Sequence, residues 1–182
     1  MKKLILSFCM IACTAFAAQA QKYMTRTGNI SFFSSTPIEN IEARNNEVAC
    51  IVDAGSGDVV IQALVKSFKF EKELMREHFN EDYMESDKFP KSEFKGKVAN
   101  MNEVNLTKDG TYKAKVNGSL TIHGVTKSVS TNGTITVSGG SMKVNAKFTI
   151  LLADYNIKIA SMAAGKISKQ IDITIDSDLA KK

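Results

Sequence analysis

Residues Thr111 to Lys127 read Thr-Tyr-Lys-Ala-Lys-Val-Asn-Gly-Ser-Leu-Thr-Ile-His-Gly-Val-Thr-Lys. Tyr112, Ala114, Val116, Leu120 and Ile122 share one parity, while Lys113, Lys115, Asn117, Ser119 and Thr121 take the other. A period of two is a strand with one dry and one wet face. Asn117-Gly118 has the chemistry of a two-residue hairpin turn. A turn there would pair Val116 with Ser119, Lys115 with Leu120 and Lys113 with Ile122, leaving the sheet no dry face. The strand therefore continues through Gly118, which marks a bend or bulge. So long a half-buried strand belongs in a closed or strongly coiled sheet.

The rest of the chain supplies partners. Tyr23 to Ser34 reads as a first strand with Ile30 and Phe32 on one face, broken by Thr36-Pro37. Glu39 to Asn45 is polar and reads as a loop or a short turn of helix. Turn residues 53–58 fold Val48, Cys50 and Val52 onto Val59, Ile61 and Ala63, pairing Val52 with Val59, Cys50 with Ile61 and Val48 with Ala63. From Phe70 to Glu85 the period changes. Phe70, Leu74, Met75, His78 and Phe79 recur at three- and four-residue steps opposite Glu71, Lys72, Arg76, Glu77 and Glu81, which predicts an amphipathic helix. Phe89-Pro90 ends that segment.

Phe94 to Leu106 returns to strand. Lys108-Asp109-Gly110 predicts a bulged hairpin pairing Leu106 with Tyr112, Val104 with Ala114 and Val98 with Leu120. Val129 to Val137 forms the next strand and runs straight through Asn132-Gly133. Gly139-Gly140 does turn, pairing Val137 with Met142, Ile135 with Val144 and Thr131 with Phe148. Lys143 to Leu152 is a strand, Asp154 to Gly165 is irregular, and Ile167, Ile171, Ile173 and Ile175 mark the last strand. The fold class is mainly β: an eight-stranded antiparallel, lipocalin-like barrel with one amphipathic helix after the third strand. Eight strands enclose room for one small elongated ligand.

Alternation alone does not say which face is inside, because an outer-membrane barrel turns its apolar face to lipid. The absence of paired aromatic girdles, a C-terminal Asp178-Leu179-Ala180-Lys181-Lys182 without an aromatic residue, and a helix suited to act as a lid favour a dry interior. The inward face could still be a filled core. The small inward residues Ala63, Gly96, Ala114, Gly118, Gly133 and Ala146 argue for space.

The first twenty residues read as a leader: Met1-Lys2-Lys3, an apolar run from Leu4 to Ala17, and the small-x-small site Ala18-Gln19-Ala20. The expected domains are thus a signal peptide, 1–20, and one barrel, 21–182, placed in the periplasm or outside the cell. Anchoring as a lipoprotein at Cys13 is the weaker alternative, since apolar residues continue beyond it. Cleavage would remove two of the three cysteines and leave Cys50, so no internal disulfide can form. It would also lower the net charge from +5 by the two lysines lost. No basic cluster remains, so nucleic acid is not an expected partner.

Leu120-Thr121-Ile122-His123-Gly124-Val125-Thr126-Lys127 resembles the signature strand of the YceI-like family, the lipocalin-like polyisoprenoid-binding proteins of the bacterial periplasm. Met75-Arg76-Glu77-His78-Phe79, then Glu85-Ser86-Asp87-Lys88-Phe89-Pro90 and Phe94, resemble that family's helix and the strand after it. The likeness covers roughly Tyr23 to Asp178. It implies a barrel whose apolar tunnel holds a long isoprenoid or fatty-acyl chain. The sequence departs from the family pattern at Tyr23, where Trp is usual, and at Gly28 to Phe32, in place of Asp-x-x-His-Ser. It departs again at Leu152-Ala153, where an Arg often precedes the acidic residue.

Chemistry-bearing residues are sparse. No Cys/His cluster has metal-ligand spacing and no cofactor motif occurs, so neither metal nor cofactor is expected. No serine sits in a nucleophile elbow, and no base is positioned for catalysis, so the chain reads as a non-enzyme. The expected lining is Phe68, Leu74, Met75, Phe79, Phe94, Val98, Val116, Leu120, Ile122, Phe148 and Ile150, with His78, His123 and Tyr155 as candidate polar contacts. His123 also fits a purely structural role, fixing the bend at Gly124. The expected partner is a long-chain isoprenoid or other amphiphilic lipid. A homodimer of two barrels sharing one longer ligand, and a filled barrel serving only as an interaction scaffold, stay open at this point.

Overall fold

A computed structural model describes residues 21–182; the expected leader, with Cys9 and Cys13, lies outside them. The strands are β1 (Lys22–Ser35), β2 (Asn40–Asp53), β3 (Asp58–Leu64), β4 (Lys69–Phe70), β5 (Lys91–Val98), β6 (Gly110–Ile122), β7 (Val125–Ser138), β8 (Ser141–Leu151) and β9 (Gln170–Lys181). Every pairing is antiparallel, in the order β1-β9-β8-β7-β6-β5-β3-β2, and β1 pairs β2 to close the ring. Eight strands make the barrel, and the two-residue β4 adds to the edge of β2.

The central strand has the predicted register. β6 runs unbroken through Asn117-Gly118 and pairs β7 from Gly110↔Val137 to Ile122↔Val125. The predicted pairs Val52↔Val59, Cys50↔Ile61, Val137↔Met142 and Ile135↔Val144 all form. Ala114, Leu120, Ile122, Ile135 and Val137 are buried while Lys113 and Lys115 are exposed, so the apolar face looks inward.

Several expectations fail for identifiable reasons. Glu39 to Asn45 is not a loop: β2 begins at Asn40 and pairs Ala43 with Phe32. Its inward Asn45 is fully buried, and the amide donates to the Leu64 carbonyl at 2.9 Å and accepts from Glu47 N–H at 2.8 Å. These bonds satisfy a polar residue that otherwise argues against a strand. The β2–β3 ladder ends at Ala49↔Gln62, short of the expected Val48 and Ala63 pair.

β5 stops at Val98 and pairs it with Val116, not Leu120. Asn100 causes the stop. Its side chain donates to the Lys113 carbonyl at 3.0 Å and accepts from Lys115 N–H at 2.8 Å, occupying ladder positions that the backbone would have filled. The shift is even, so Val98, Ala114 and Leu120 still face inward. Thr131 and Phe148 do not pair. The β7–β8 ladder ends at Gly133↔Ala146, and beyond it the Thr131 hydroxyl bridges to the Lys147 carbonyl at 3.2 Å. The last strand starts at Gln170, three residues after Ile167.

The helix is shorter than its pattern. α1 spans Glu73–His78 and continues as a π-turn over Phe79–Tyr83. It buries no residue of its own, and a helix this short is not stable alone. Phe79 holds it down: its ring centroid lies 5.0 Å from Phe70, 5.4 Å from Phe32 and 5.7 Å from Phe68. The segment lies between β3 and β5 in the chain and turns Met75, Phe79, Tyr83 and Met84 towards the interior at one end of the barrel.

Candidate functional site

The far end of the barrel is sealed. Tyr23, Met101, Val104, Met142 and Leu179 are buried there, and the Tyr23 hydroxyl accepts from Gln21 Nε2 at 2.8 Å. Between this floor and the lid lies a cavity of about 630 Å³. That volume falls within the range of small-molecule sites, roughly 300–1,000 Å³. The strands dictate its chemistry, because each contributes alternate side chains and those are overwhelmingly aliphatic or aromatic.

Of the residues expected to line the site, the structure brings together Phe68, Met75, His78, Phe79, Phe94, Val98, Val116, Leu120, Ile122, Phe148 and Ile150. Three do not reach the cavity. Leu74 points to water at 61% exposure, because α1 presents Met75 inward instead. Tyr155 is 2% exposed but packs outside the cavity, where burial and then the neighbouring Asp154 push its phenol pKa up.

His123 is the third. It sits with φ +50° at the first position of the two-residue β6–β7 turn, followed by Gly124 at φ +72°. Its Nδ1 lies 3.1 Å from the Tyr155 carbonyl oxygen and its Nε2 2.7 Å from Glu85 Oε2. Phe89 packs edge-on against its ring at 4.7 Å. His123 therefore clasps the hairpin tip to the lid and to the segment after β8. That is the structural role, and its ring is committed to protein partners.

The sequence reading missed a second set of lining residues: Ile30, Phe32, Phe70, Ile135, Val144, Ile171, Ile173 and Ile175. Their signal was present, since all but Phe70 lie in phase with inward positions of their own strands and Phe70 stands in the apolar stripe of the helical segment. The space credited to glycine needs correction as well. A Cβ at Gly96 or at Gly118 would lie 2.5 Å from Phe94 Cζ, so the Phe94 ring already occupies that space. Ala63, Ala114, Gly133 and Ala146 do border the cavity.

Polar groups gather at the lid end. His78 Nδ1 lies 2.6 Å from Asp82 Oδ2 at the rim, and both border the cavity. Glu39 borders it too, with Lys72 Nζ 3.6 Å from its carboxylate. Ser34 is buried in the wall, where its hydroxyl accepts from Ser168 N–H at 2.9 Å. Among the described residues no group of three His, Cys, Asp or Glu side chains could hold a metal ion. Cys50 is buried in β2, and burial pushes its thiol pKa up to about 12, so it is a core residue without nucleophilic character. The arrangement offers an apolar bore with a thin polar rim, suited to holding a chain by burial.

Known proteins carry the same architecture. A polyisoprenoid binding domain from Saccharophagus degradans implicated in plant cell wall breakdown superposes with a TM-score of 0.77 at 13% identity, covering 88% of this chain and 98% of that one. BcnA of Burkholderia cenocepacia gives 0.69 at 17% identity, with coverage of 84% and 96%. The YCEI protein of Campylobacter jejuni gives 0.61 at 19% identity, with coverage of 81% and 88%. At these identities the likeness shows the fold. No match was found among curated proteins. Residues 15–179 match the YceI-like domain, and the chain belongs to that family.

Proposed function

We propose that this protein binds a long apolar ligand in the barrel and sequesters or carries it: a polyisoprenoid, an isoprenoid quinone or a fatty-acyl lipid. The observation that carries the reading is the cavity of about 630 Å³, lined mostly by aliphatic and aromatic side chains, with buried residues beneath it and its ionisable side chains on the lid side. Each methylene buried is worth about 0.8 kcal/mol. About ten of them supply roughly 8 kcal/mol, which corresponds to a Kd near 1 μM before the cost of ordering the chain. Affinity then follows ligand length, and little head-group recognition is required. The similarity to the polyisoprenoid binding domain of Saccharophagus degradans supports the same ligand class.

The protein acts by binding and performs no chemistry on its ligand. The imidazole of His123 is held by Glu85 and the Tyr155 carbonyl outside the cavity, and His78 sits at the rim beside Asp82. The leader expected at residues 1–20 supports placement in the periplasm or outside the cell after cleavage near Ala20. Mass spectrometry of organic extracts from natively purified protein tests the proposal. The expected result is a long-chain lipid at one molecule per chain, or per two chains where two barrels share it. Protein that yields no lipid, and takes none up after delipidation, would overturn it.

A further inference from the structure

Three segments outside the barrel wall meet at the lid end: the β1–β2 turn, α1, and the arm between β8 and β9. Each holds one large apolar side chain in water. Met162 is 88% exposed, Ile38 68% and Leu74 61%, the three highest values for large hydrophobic residues among those described. The segments that carry them touch one another. The Lys72–Glu39 pair joins the start of α1 to the turn, and a Cβ at Gly165 would meet Ile38 Cδ1 at 3.2 Å, so the turn touches the arm. Met162 also lines the cavity, which makes an apolar path from the bore to the surface.

The arm has the charge pattern of a segment that enters a lipid surface. Ile159-Ala160-Ser161-Met162-Ala163-Ala164-Gly165 is uncharged and lies between Lys158 and Lys166, with Lys169 beyond. No acidic residue occurs between Asp154 and Asp172. None of these three lysines has an ion-pair partner among the described residues. The lid beside it differs: residues 65–90 carry five basic and seven acidic side chains, many paired with one another. An uncharged tip flanked by unpaired lysines suits insertion of the tip, with the lysines setting the orientation. Long lysine stems reach the phosphate level while their carbon chains stay in apolar surroundings.

The geometry points to a membrane-docking face: the tip of the arm, with Ile38 and Leu74 beside it, enters the head-group layer of a bilayer, and Lys158, Lys166 and Lys169 meet lipid phosphates. The cavity mouth then opens onto the membrane, and a lipid passes between bilayer and bore without crossing water. This rests on the lipid-binding reading above. Three aliphatic side chains fall short of the roughly 1,200–2,000 Å² that a stable protein interface buries, which favours a bilayer over a second copy of the chain.

Flotation of the natively purified protein with phosphatidylcholine vesicles, with and without phosphatidylglycerol, tests the assignment. Wild type floats with the vesicles, more strongly where phosphatidylglycerol is present. Replacing Met162→Ser and Ile38→Ser lowers partition by about tenfold each. Lys166→Gln with Lys169→Gln removes most of the preference for phosphatidylglycerol. The control Ile51→Ser with Val60→Ser alters exposed residues paired on the β2–β3 wall and leaves partition unchanged. Wild type that fails to float with either vesicle, or an equal loss in the control, would overturn the docking face. So would a dimer in size-exclusion chromatography that Met162→Ser dissolves. Lipid-free extracts from a protein that still floats would sink the cavity reading and leave the docking face standing.

Discussion

Phe79→Ala isolates what holds the lid. α1 has no buried residue, and Phe79 is the ring through which the segment meets Phe32, Phe68 and Phe70 at 5.0 to 5.7 Å. Truncating a fully buried Phe costs about 3–5 kcal/mol. Phe79 is half-buried, so about 2 kcal/mol is the reasonable figure, with the three ring pairs accounting for much of it. Exposed ion pairs such as Lys66–Asp87 add little to the lid's stability. The loss falls on local opening of the lid, because the barrel ladders do not pass through it. At about 1.4 kcal/mol per decade, hydrogen exchange of the amides in residues 73–84 should rise by about 30-fold in delipidated protein. Amides of the β6–β7 ladder should not change. Equal acceleration in β6–β7 would mean that the ring cluster carries global stability. Unchanged exchange in the lid would mean that the His123–Glu85 clasp holds it instead.

Other outcomes follow from single contacts. In Gly118→Ala the new Cβ lies 2.5 Å from the Lys95 carbonyl oxygen and 2.6 Å from Gly96 Cα, so backbone must shift. About 2–3 kcal/mol should be lost, lowering the urea midpoint by about 1 M. Cys50, with its thiol pKa pushed up to about 12 by burial, should resist iodoacetamide at mildly alkaline pH until the protein unfolds. Labelling of native protein at the rate of a free thiol would contradict that. Asp172 is held below the ordinary carboxylate range by the Thr149 hydroxyl at 2.7 Å and by Lys147. A depressed pKa contributes stability that is present above the ordinary range, about 4, and is lost as the pH falls through the folded value. Asp172→Asn should therefore flatten the acid limb of an unfolding-against-pH curve and lower stability near neutrality.

The barrel was legible wherever register had one solution. Asn117-Gly118 and Gly139-Gly140 look alike as turn chemistry, yet only the second pairs apolar with apolar, and only the second turns. Side chains that act as backbone were not legible. Asn100 replaces ladder bonds and ends β5 early, although Val104 and Leu106 keep the alternation going in the sequence. Asn45 does the reverse, making a strand of a segment whose charges suggest a loop. Within the site, phase identified most of the lining. It could not foresee that α1 turns Met75 inward and Leu74 out, since both lie on the broad apolar face of the pattern. The partners of His123 lie 32 and 38 residues away, so no local pattern could name them. Gly96 and Gly118 were misread for a related reason: the face they leave empty is filled by Phe94, two residues before Gly96 on β5 and across the ladder from Gly118 on β6.

The most direct test is a crystal structure of the protein purified natively, without detergent or delipidation. Continuous elongated density should run through the bore between Phe79 at the lid and Val98 near the floor, with no side chain crossing it. A bore collapsed onto its own Phe, Ile and Val side chains, with no ligand density and no remaining space, would contradict it.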